Sequence, residues 1–251
     1  MTRPTTTRDS LTGPAASHTG GGMVAVVLFP GTNCELDVVE AVRDLGADAR
    51  VVWHADELLP PGATSVVLPG GFAHGDYLRT GAIARFSPIM KAVAAFAAEG
   101  GAVLGICNGF QVLCEAGLLP GALQKNAGLK FQCRTVSVVV ENATTVATTA
   151  CETGGTLRLP INHFEGNYTC TLDTLEQLRS HGQIVFRYVD DVNGSVDRIA
   201  GVSNRDGNVV GLMPHPERAS HALLGSEDGR RIFESLVSAA QKPAAGVKTP
   251  G

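Results

Sequence analysis

The chain has 251 residues, of which 44% are hydrophobic, and its formal net charge is −4 at pH 7. This length allows a large hydrophobic core, and the acidic balance offers no basic surface for a nucleic acid backbone. No run reaches the roughly 18 apolar residues that a membrane-spanning helix needs, and the amino terminus lacks the pattern of a signal peptide. We therefore predict a cytoplasmic protein without a nucleic acid or membrane partner.

Both ends of the chain have compositions typical of disorder. Residues 1–22 are mostly Thr, Ser, Pro, Gly and other small or polar residues, and residues 241–251 are similar. Such segments bury too little apolar surface to offset the entropy of ordering. We expect one folded domain over residues 23–240, with a disordered extension before it and a disordered tail after it.

In the first half of this domain, short runs rich in Val, Ile and Leu alternate with segments of helical spacing. The runs MVAVVLF, ARVVWH, SVVLPGG and AVLGI predict buried strands, and the segments CELDVVEAVRDLG, IARFSPIMKAVAAFAAEG and NGFQVLCEAG predict helices. The alternation indicates an α/β fold with an open, doubly wound, mostly parallel sheet of the flavodoxin-like type. Such sheets bind ligands at the carboxyl ends of their strands.

From about residue 129 the pattern changes to strands separated by turn residues. The predicted strands are KFQCRTVSVVVEN, TLRLPIN, IVFRYV, RIAGVSN and NVVGLM. We expect mixed or antiparallel additions to the same sheet. Apolar residues at helical spacing then predict a closing helix over about residues 226–240.

The stretch GGAVLGICNGFQVLCEAG is the strongest candidate for chemistry. Cys107 lies between Gly105 and Gly109, where a predicted strand meets a predicted helix. This is the thiol version of the nucleophile elbow, a sharp turn that needs small residues beside the nucleophile. The start of a helix favours a thiolate, and the N–H group of Asn108 would point to where an oxyanion forms. The alternative is an ordinary tight turn with a buried cysteine.

The other cysteines form no recognisable pattern. The six cysteines, at positions 34, 107, 114, 133, 151 and 170, include no C-x-x-C pair and no Cys/His cluster at zinc spacing. We therefore expect neither a disulfide framework nor a metal in this chain.

A cysteine nucleophile needs a base, and the base needs an orienting group. Two histidines follow apolar runs and precede a glutamate by two residues: His163 in LPINHFEGN and His215 in GLMPHPERA. In extended backbone, residues i and i+2 project to the same side, so each histidine would lie beside its glutamate. The prolines on either side of His215 favour this geometry there. His215 is the preferred base and His163 the alternative, unless either pair is only a solvated surface pair.

A third element is LPGGFAHGDYLRTGAIARF. Its double glycine, Gly70 and Gly71, ends a predicted strand and can direct backbone N–H groups into a cleft. A phosphate loop is the competing interpretation, but neither standard phosphate-loop motif is present. The polar residues Asp76, Tyr77 and Arg79 lie either at the cleft edge or on the surface.

Together, PGGF, GICNGFQVLCEAGLLPGAL and PHPERA resemble the class I (triad) glutamine amidotransferases. Further motifs narrow the resemblance to the glutaminase subunits of phosphoribosylformylglycinamidine synthase; they are FPGTNCELD, GDYLRTGAIARFSPIM, LKFQCR, FEGNY, QIVFRYVD and NGSVDRIAGVSN. The resemblance covers about residues 23–240.

This resemblance implies specific roles for the candidate residues. Cys107 would attack the side-chain amide of L-glutamine to form a thioester, with His215 as base and then acid and Glu217 orienting it. The oxyanion hole would be the N–H groups of Gly71 and Asn108. The substrate contacts would come from Gly70, Phe72, Gln111, His163 and Phe164, so that His163 belongs to the pocket wall.

The resemblance also implies partners and no cofactor in this chain. Ammonia would pass to a separate synthetase subunit, which uses ATP and Mg²⁺ to convert formylglycinamide ribonucleotide to its amidine in de novo purine synthesis; a small accessory subunit would join the complex. Two alternatives stay open: a glutaminase subunit of another amidotransferase, and a non-catalytic scaffold relative.

Four residues depart from the family pattern. Ala73 and His74 stand where that pattern has Ser-Tyr, and Asn162 and Phe164 stand where it has Ala and Gly around His163. All four lie in segments that are expected to border substrate access or partner contacts.

Overall fold

The computed structural model describes residues 22–77, 79 and 81–239. The predicted disordered segments, residues 1–22 and 241–251, therefore lie outside the described residues except for residue 22. In the part of the chain that the structure describes, no helix is both long and apolar enough to cross a bilayer.

The first half of the domain alternates strands and helices, as predicted. The strands are β1 (Met23–Leu28), β2 (Asp48–Trp53), β3 (Ala63–Leu68) and β4 (Ala102–Ile106), and the helices are α1 (Glu35–Arg43), α2 (Ile89–Ala98) and α3 (Asn108–Glu115). Every residue of β4 is buried, and so is almost every residue of β1. Strands of this kind are covered by helices on both faces of a sheet.

The second half supplies the remaining strands and two helices. They are β5 (Ala122–Gln124), β6 (Gln132–Val140), β7 (Thr156–His163), β8 (Asn167–Thr169), α4 (Leu172–Ser180), β9 (Ile184–Tyr188), β10 (Ile199–Ser203), β11 (Val209–Leu212) and α5 (Arg230–Ala239). The sequence analysis did not predict β5, β8 or α4.

Within the described residues, the main sheet has nine strands in the order β2-β1-β3-β4-β11-β10-β9-β6-β7. The pairings from β2 across to β11 are parallel, and those from β11 across to β7 are antiparallel. This confirms the predicted α/β fold with a mostly parallel sheet and antiparallel additions. Strands β5 and β8 form a separate antiparallel pair.

This strand order determines where a site can form. Strand β4 lies between β3 and β11, and all three run parallel. Their carboxyl ends therefore meet at one edge of the sheet. The segments that follow them contain Gly70, Cys107 and His215, respectively.

Two predicted helix boundaries were wrong. The predicted helix over residues 83–100 is divided: a 3-10 turn ends at Phe86, Ser87 is extended with ψ 139°, and α2 follows Pro88, which cannot donate a backbone hydrogen bond. The closing helix begins at Arg230 rather than near residue 226, because the N–H group of Gly229 donates to the Ala219 carbonyl instead of continuing a helix.

The turn from β4 into α3 depends on a contact that only glycine permits. A Cβ atom on Gly109 would lie 1.9 Å from the carbonyl oxygen of Leu68 on the neighbouring strand β3. Because backbone cannot yield there without moving the strand, Gly109→Ala is expected to lower the free energy of unfolding by about 3 kcal/mol. Urea denaturation measures this loss.

Gly128→Ala is the matched control for this substitution. A Cβ atom on Gly128 would meet nothing within 4 Å, so its effect is expected to stay within about 0.5 kcal/mol. Similar losses in the two variants would show that the contact with Leu68 is not what restricts position 109.

Candidate active site

Cys107 occupies the turn between β4 and α3 with φ 49° and ψ −104°. This φ lies in a region that residues with side chains rarely adopt, so the turn is strained. Gly105 allows the close approach, because a Cβ atom there would lie 2.8 Å from the Gly109 backbone. The N–H group of Cys107 donates to the Leu212 carbonyl on β11 at 2.8 Å, which fixes the turn against the sheet. The predicted elbow is therefore present in the backbone.

His215 follows β11 in extended conformation, with φ −102° and ψ 92°, as its flanking prolines predict. Its N–H group donates to the Pro160 carbonyl on β7 at 2.8 Å. Its Nδ1 atom lies 2.6 Å from Oε1 of Glu217, and the two side chains are 2% and 0% exposed. The segment His215-Pro216-Glu217, the HPE motif, thus places a buried imidazole against a buried carboxylate.

The surroundings of His215 favour its protonated form. Burial alone would lower its pKa, but the charges of Glu217 and Cys107 outweigh burial and hold the pKa of His215 well above its ordinary value. The Nε2 atom is buried and has no hydrogen-bond partner among the described residues. Because Glu217 occupies Nδ1, Nε2 is the nitrogen left for proton transfer.

Gly70 lies directly against both Cys107 and His215. A Cβ atom on Gly70 would lie 2.6 Å from Cε1 of His215 and 3.4 Å from the Cβ of Cys107. Its carbonyl accepts the N–H groups of Asn33 at 3.4 Å and Cys34 at 3.3 Å. Because Gly70 has no side chain, the side chains of Cys107 and His215 can lie close together.

Gly71 and Asn108, the two predicted oxyanion-hole residues, lie on adjoining segments. Gly71 has φ 148°, and a Cβ atom there would lie 2.7 Å from the Cα of Thr32, so only glycine fits. Asn108 begins α3, where backbone N–H groups have no partner within the helix. Its Oδ1 atom accepts the N–H group of Ala73 at 3.1 Å. This bond ties the loop after β3 to the start of α3.

Gln111 links α3 to the loop that follows β7. Its Oε1 accepts from Nδ2 of Asn108 at 3.0 Å, and its Nε2 donates to the Glu165 carbonyl at 2.5 Å. Asn108 Nδ2 also lies 3.3 Å from Oδ1 of Asp76. Asp76 therefore belongs to the cleft, whereas Tyr77 is 74% exposed. A direct contact between Gln111 and substrate stays a prediction.

His163 ends β7 and is buried beside His215. Burial, and next the charge of His215, lower the pKa of His163 to about 4. Its Nδ1 atom lies 3.0 Å from the amide oxygen Oδ1 of Asn126, not from a carboxylate. A neutral imidazole held by an amide is suited to a pocket wall, so this geometry favours His215 as the base.

The aromatic residues predicted to contact substrate differ in exposure. Phe72 is 45% exposed. Phe164 is half-buried, and the ammonium group of Lys125 lies 5.9 Å from its ring centroid. Their contacts with substrate stay predictions.

Two of the departures from the family pattern have clear local settings. His74 adopts φ 53° and packs edge-on against His54, with ring centroids 5.3 Å apart. At Asn162, the Cys107 sulfur lies 3.8 Å from the backbone carbonyl oxygen. An alanine would keep that contact, because the Asn162 side chain takes no part in it.

The sequence analysis assigned no role to three residues around the site: Asn126 and Cys34, which are buried, and Arg218, which is half-buried. The Asn126 side chain makes two contacts with His163. Its Oδ1 lies 3.0 Å from the ring nitrogen Nδ1, and its Nδ2 donates to the His163 backbone carbonyl at 3.0 Å. Cys34 precedes α1, and its sulfur accepts a hydrogen bond from Nη2 of Arg218 at 3.1 Å. The position of NCE after a buried strand, at the same sheet edge as Cys107, was the available signal for Cys34.

Asp76 gives the site a pH-dependent effect on stability. Burial, and next the charge of Glu165, raise the pKa of Asp76 to about 6. The unfolded chain loses this proton near pH 4, so between about pH 4 and pH 6 the folded state binds more protons and stability falls as pH rises. Asp76→Asn removes this loss of stability and keeps the Oδ1 acceptor. We therefore compare the Tm of the variant minus the Tm of the native chain at two pH values. This difference is expected to be about 1 to 3 °C larger at pH 7.5 than at pH 4.

Thermal unfolding at the two pH values checks this expectation, with Asp190→Asn as the control because Asp190 is exposed. A Tm difference for Asp76→Asn that is the same at both pH values, or that is larger at pH 4, would contradict it.

Comparison with known proteins identifies the family. The chain matches the CobB/CobQ-like glutamine amidotransferase domain over residues 22–236. It is 54% identical to the phosphoribosylformylglycinamidine synthase subunit PurQ of Chlorobaculum parvum, over 85% of this chain and 88% of that protein. It is 56% identical to PurQ of Rubrobacter xylanophilus, over 87% of this chain and 99% of that protein. The chain belongs to the PurQ family.

Solved structures agree with membership in the PurQ family. A chain in the structure of PurLQS from Thermotoga maritima superposes with a TM-score of 0.80 at 44% identity, and the match covers 87% of this chain and 98% of that chain. The predicted resemblance to PurQ-type glutaminase subunits is thereby confirmed.

Proposed function

We propose that this protein hydrolyses L-glutamine to glutamate and ammonia with Cys107, His215 and Glu217. Its ammonia supplies a synthetase subunit that makes formylglycinamidine ribonucleotide from formylglycinamide ribonucleotide and ATP, in a complex that includes a small accessory subunit. One observation carries the residue assignment: the cysteine on a strained strand-to-helix turn meets, across Gly70, a histidine that a buried glutamate holds at 2.6 Å.

In the first half of the reaction, Nε2 of His215 takes the proton of the Cys107 thiol, and the sulfur attacks the side-chain carbonyl carbon of glutamine. The new C–S bond moves an electron pair onto the carbonyl oxygen, where the N–H groups of Gly71 and Asn108 stabilise it. His215 donates the proton on Nε2 to the amide nitrogen. The C–N bond breaks, ammonia leaves, and a γ-glutamyl thioester remains on Cys107.

In the second half, the neutral Nε2 of His215 removes a proton from water as the water oxygen attacks the thioester carbonyl. The same N–H groups stabilise the second oxyanion. Its collapse breaks the C–S bond and releases glutamate, so that each turnover consumes one water molecule. Glu217 remains ionised throughout and holds Nδ1–H, which keeps Nε2 directed at the reaction.

We assign the walls of the glutamine pocket to the residues that surround this centre: Gly70, Phe72, Gln111, His163 and Phe164. His163 is suited to the pocket wall because its lowered pKa keeps it from taking the proton that His215 exchanges with Cys107. The reaction uses no metal or cofactor in this chain, and ATP and Mg²⁺ act on the synthetase subunit. We place the complex in the cytoplasm, where purine precursors are made.

Labelling with a glutamine-like electrophile tests the assignment of Cys107. Diazo-oxo-norleucine is expected to add once, at Cys107, as measured by intact mass and peptide mapping. Glutamine should block the adduct, and Cys107→Ser should abolish it. Labelling only in the presence of the synthetase would show that the partner completes the site, and no labelling under either condition would overturn the proposal.

The isolated chain is expected to be a slow glutaminase. Ammonia released without an acceptor wastes glutamine, and ATP is used on another subunit. Adding the synthetase and accessory subunits should therefore increase the rate of glutamate release. Full turnover by the isolated chain, unchanged by those subunits, would contradict this expectation.

A further inference from the structure

The fold brings a second thiol to the catalytic histidine. Donor atoms of Cys34, His215 and Glu217 all lie within 4.8 Å of one another, and all three residues are buried. Cys34 is separated from His215 by 181 positions, so no local motif places them together. The proposed reaction assigns no role to the Cys34 thiol.

The three side chains offer a sulfur, a nitrogen and an oxygen donor, a set that suits Zn²⁺. Zinc binds cysteine sulfur at about 2.3 Å and histidine nitrogen or carboxylate oxygen at about 2.0 to 2.2 Å, which places tetrahedral ligands roughly 3.3 to 3.6 Å apart. The three donors lie within 4.8 Å of one another, so the widest pair would have to close by about 1 Å, whereas Nδ1 of His215 and Oε1 of Glu217, 2.6 Å apart, would have to separate. Mg²⁺ and Ca²⁺ prefer sites made of oxygen alone.

Two buried atoms in this cluster have unused binding capacity. Nε2 of His215 and Oε2 of Glu217 have no hydrogen-bond partner among the described residues. Both side chains are at least 98% buried, so water does not easily satisfy these atoms. A bound cation would displace the proton on Nε2 and then accept a lone pair from each atom.

The Cys34 sulfur has two polar neighbours. Arg218 donates to the Cys34 sulfur at 3.1 Å, and that sulfur donates in turn to Oδ1 of Asn33 at 3.2 Å. Arg218 also lies 3.8 Å from Asp37. Zinc binds cysteine as a thiolate, so binding at this site would release the proton of the Cys34 thiol.

We propose that Cys34, His215 and Glu217 form an inhibitory Zn²⁺ site. A zinc ion held there takes the lone pair that His215 needs for proton transfer, and it draws Glu217 away from Nδ1. Glutamine hydrolysis therefore stops while zinc is bound. Zinc binding releases the protons of the Cys34 thiol and of Nε2 to solvent, and removal of zinc by a chelator lets both return, which restores the triad.

Zinc titration of the full-length chain tests the site without relying on activity. Metal-free protein in a thiol-free reductant is titrated with Zn²⁺ against a chromophoric chelator. The native chain is expected to bind one ion, and Cys34→Ala should bind it at least about 10-fold more weakly. Cys133→Ala is the matched control, because Cys133 is the exposed free thiol and its loss should leave this affinity unchanged.

Two further measurements identify the ligands. Co²⁺ bound to the native chain should show a sulfur-to-metal charge-transfer band that Cys34→Ala loses. In the complex with the synthetase, the zinc concentration that halves each variant's own zinc-free rate should rise for Cys34→Ala by the same factor as its dissociation constant. If Cys34→Ala fails to fold, Cys34→Ser replaces it, since serine keeps the size but is a poor zinc ligand.

Equal zinc affinity in the native chain and in a folded Cys34 variant would overturn the proposal. Binding lost only in Cys107→Ala would likewise overturn it, because the ion would then be held by the nucleophile instead of Cys34. Neither result affects the assignment of glutaminase activity, which the labelling of Cys107 tests separately.

Discussion

Cys107→Ser is expected to reduce glutamine hydrolysis by at least about 10⁴-fold, because removing the nucleophile of a triad leaves only binding and oxyanion stabilisation. The serine oxygen is smaller than sulfur and is not ionised near neutral pH, and the positive φ of the turn fixes where it points. Glutamate release in the presence of the synthetase measures the loss. The variant should also fail to accumulate a γ-glutamyl adduct.

Cys114→Ser is the control for this loss. Cys114 lies on the same helix α3, but its sulfur contacts the Pro120 carbonyl at 3.8 Å, away from His215. Burial raises the pKa of the Cys114 thiol, so it is unreactive. A Cys107→Ser variant that unfolds like the native chain and keeps more than about 10% of its activity would contradict the role of Cys107.

The parts of the site that lie within short stretches of sequence were predictable. The Gly-Ile-Cys-Asn-Gly turn needs a glycine at position 109 for steric reasons, because strand β3 passes within contact distance of that residue. In the HPE motif, the prolines on either side of His215 favour extended backbone, which places His215 beside Glu217. In both cases the sequence signal lies within five residues, although the contact that restricts Gly109 comes from Leu68 on a neighbouring strand.

Contacts between distant parts of the chain were not predictable in this way. Cys34 meets His215 and Arg218 only because β1 and β11 end at the same edge of the sheet. Asn126 holds His163 from a loop 37 residues earlier. A single sequence contains no spacing that reports such pairs, so the contacts between these residues emerge only from the fold.

The missed secondary structure has more ordinary reasons. Strands β5 and β8 have three residues each, too few for a period of two to be recognised. Helix α4 did carry a signal, since the Thr171 side chain caps it by accepting the N–H group of Thr174, and Leu175 and Leu178 are buried at helical spacing. The turn residues around it obscured that pattern.

Glu217→Gln is expected to lower kcat by about 10³- to 10⁴-fold while leaving KM within a few-fold of its native value. The carboxylate is fully buried and contacts Nδ1 of His215, so it orients the imidazole without a direct contact to glutamine. An amide has the same shape but no charge. It neither stabilises the imidazolium nor enforces the tautomer in which Nε2 takes part in proton transfer.

Glu234→Gln is the matched control, because Glu234 also pairs with a cationic side chain, Arg230 at 3.2 Å, but on the surface of α5. It should retain full activity, since exposed pairs contribute little. Steady-state kinetics of both variants with the synthetase present separate kcat from KM. If Glu217→Gln keeps kcat within 10-fold of the native value, the His215–Glu217 bond is structural; if KM rises instead, the glutamate acts on substrate binding. The expected loss in kcat alone identifies Glu217 as the residue that orients the base.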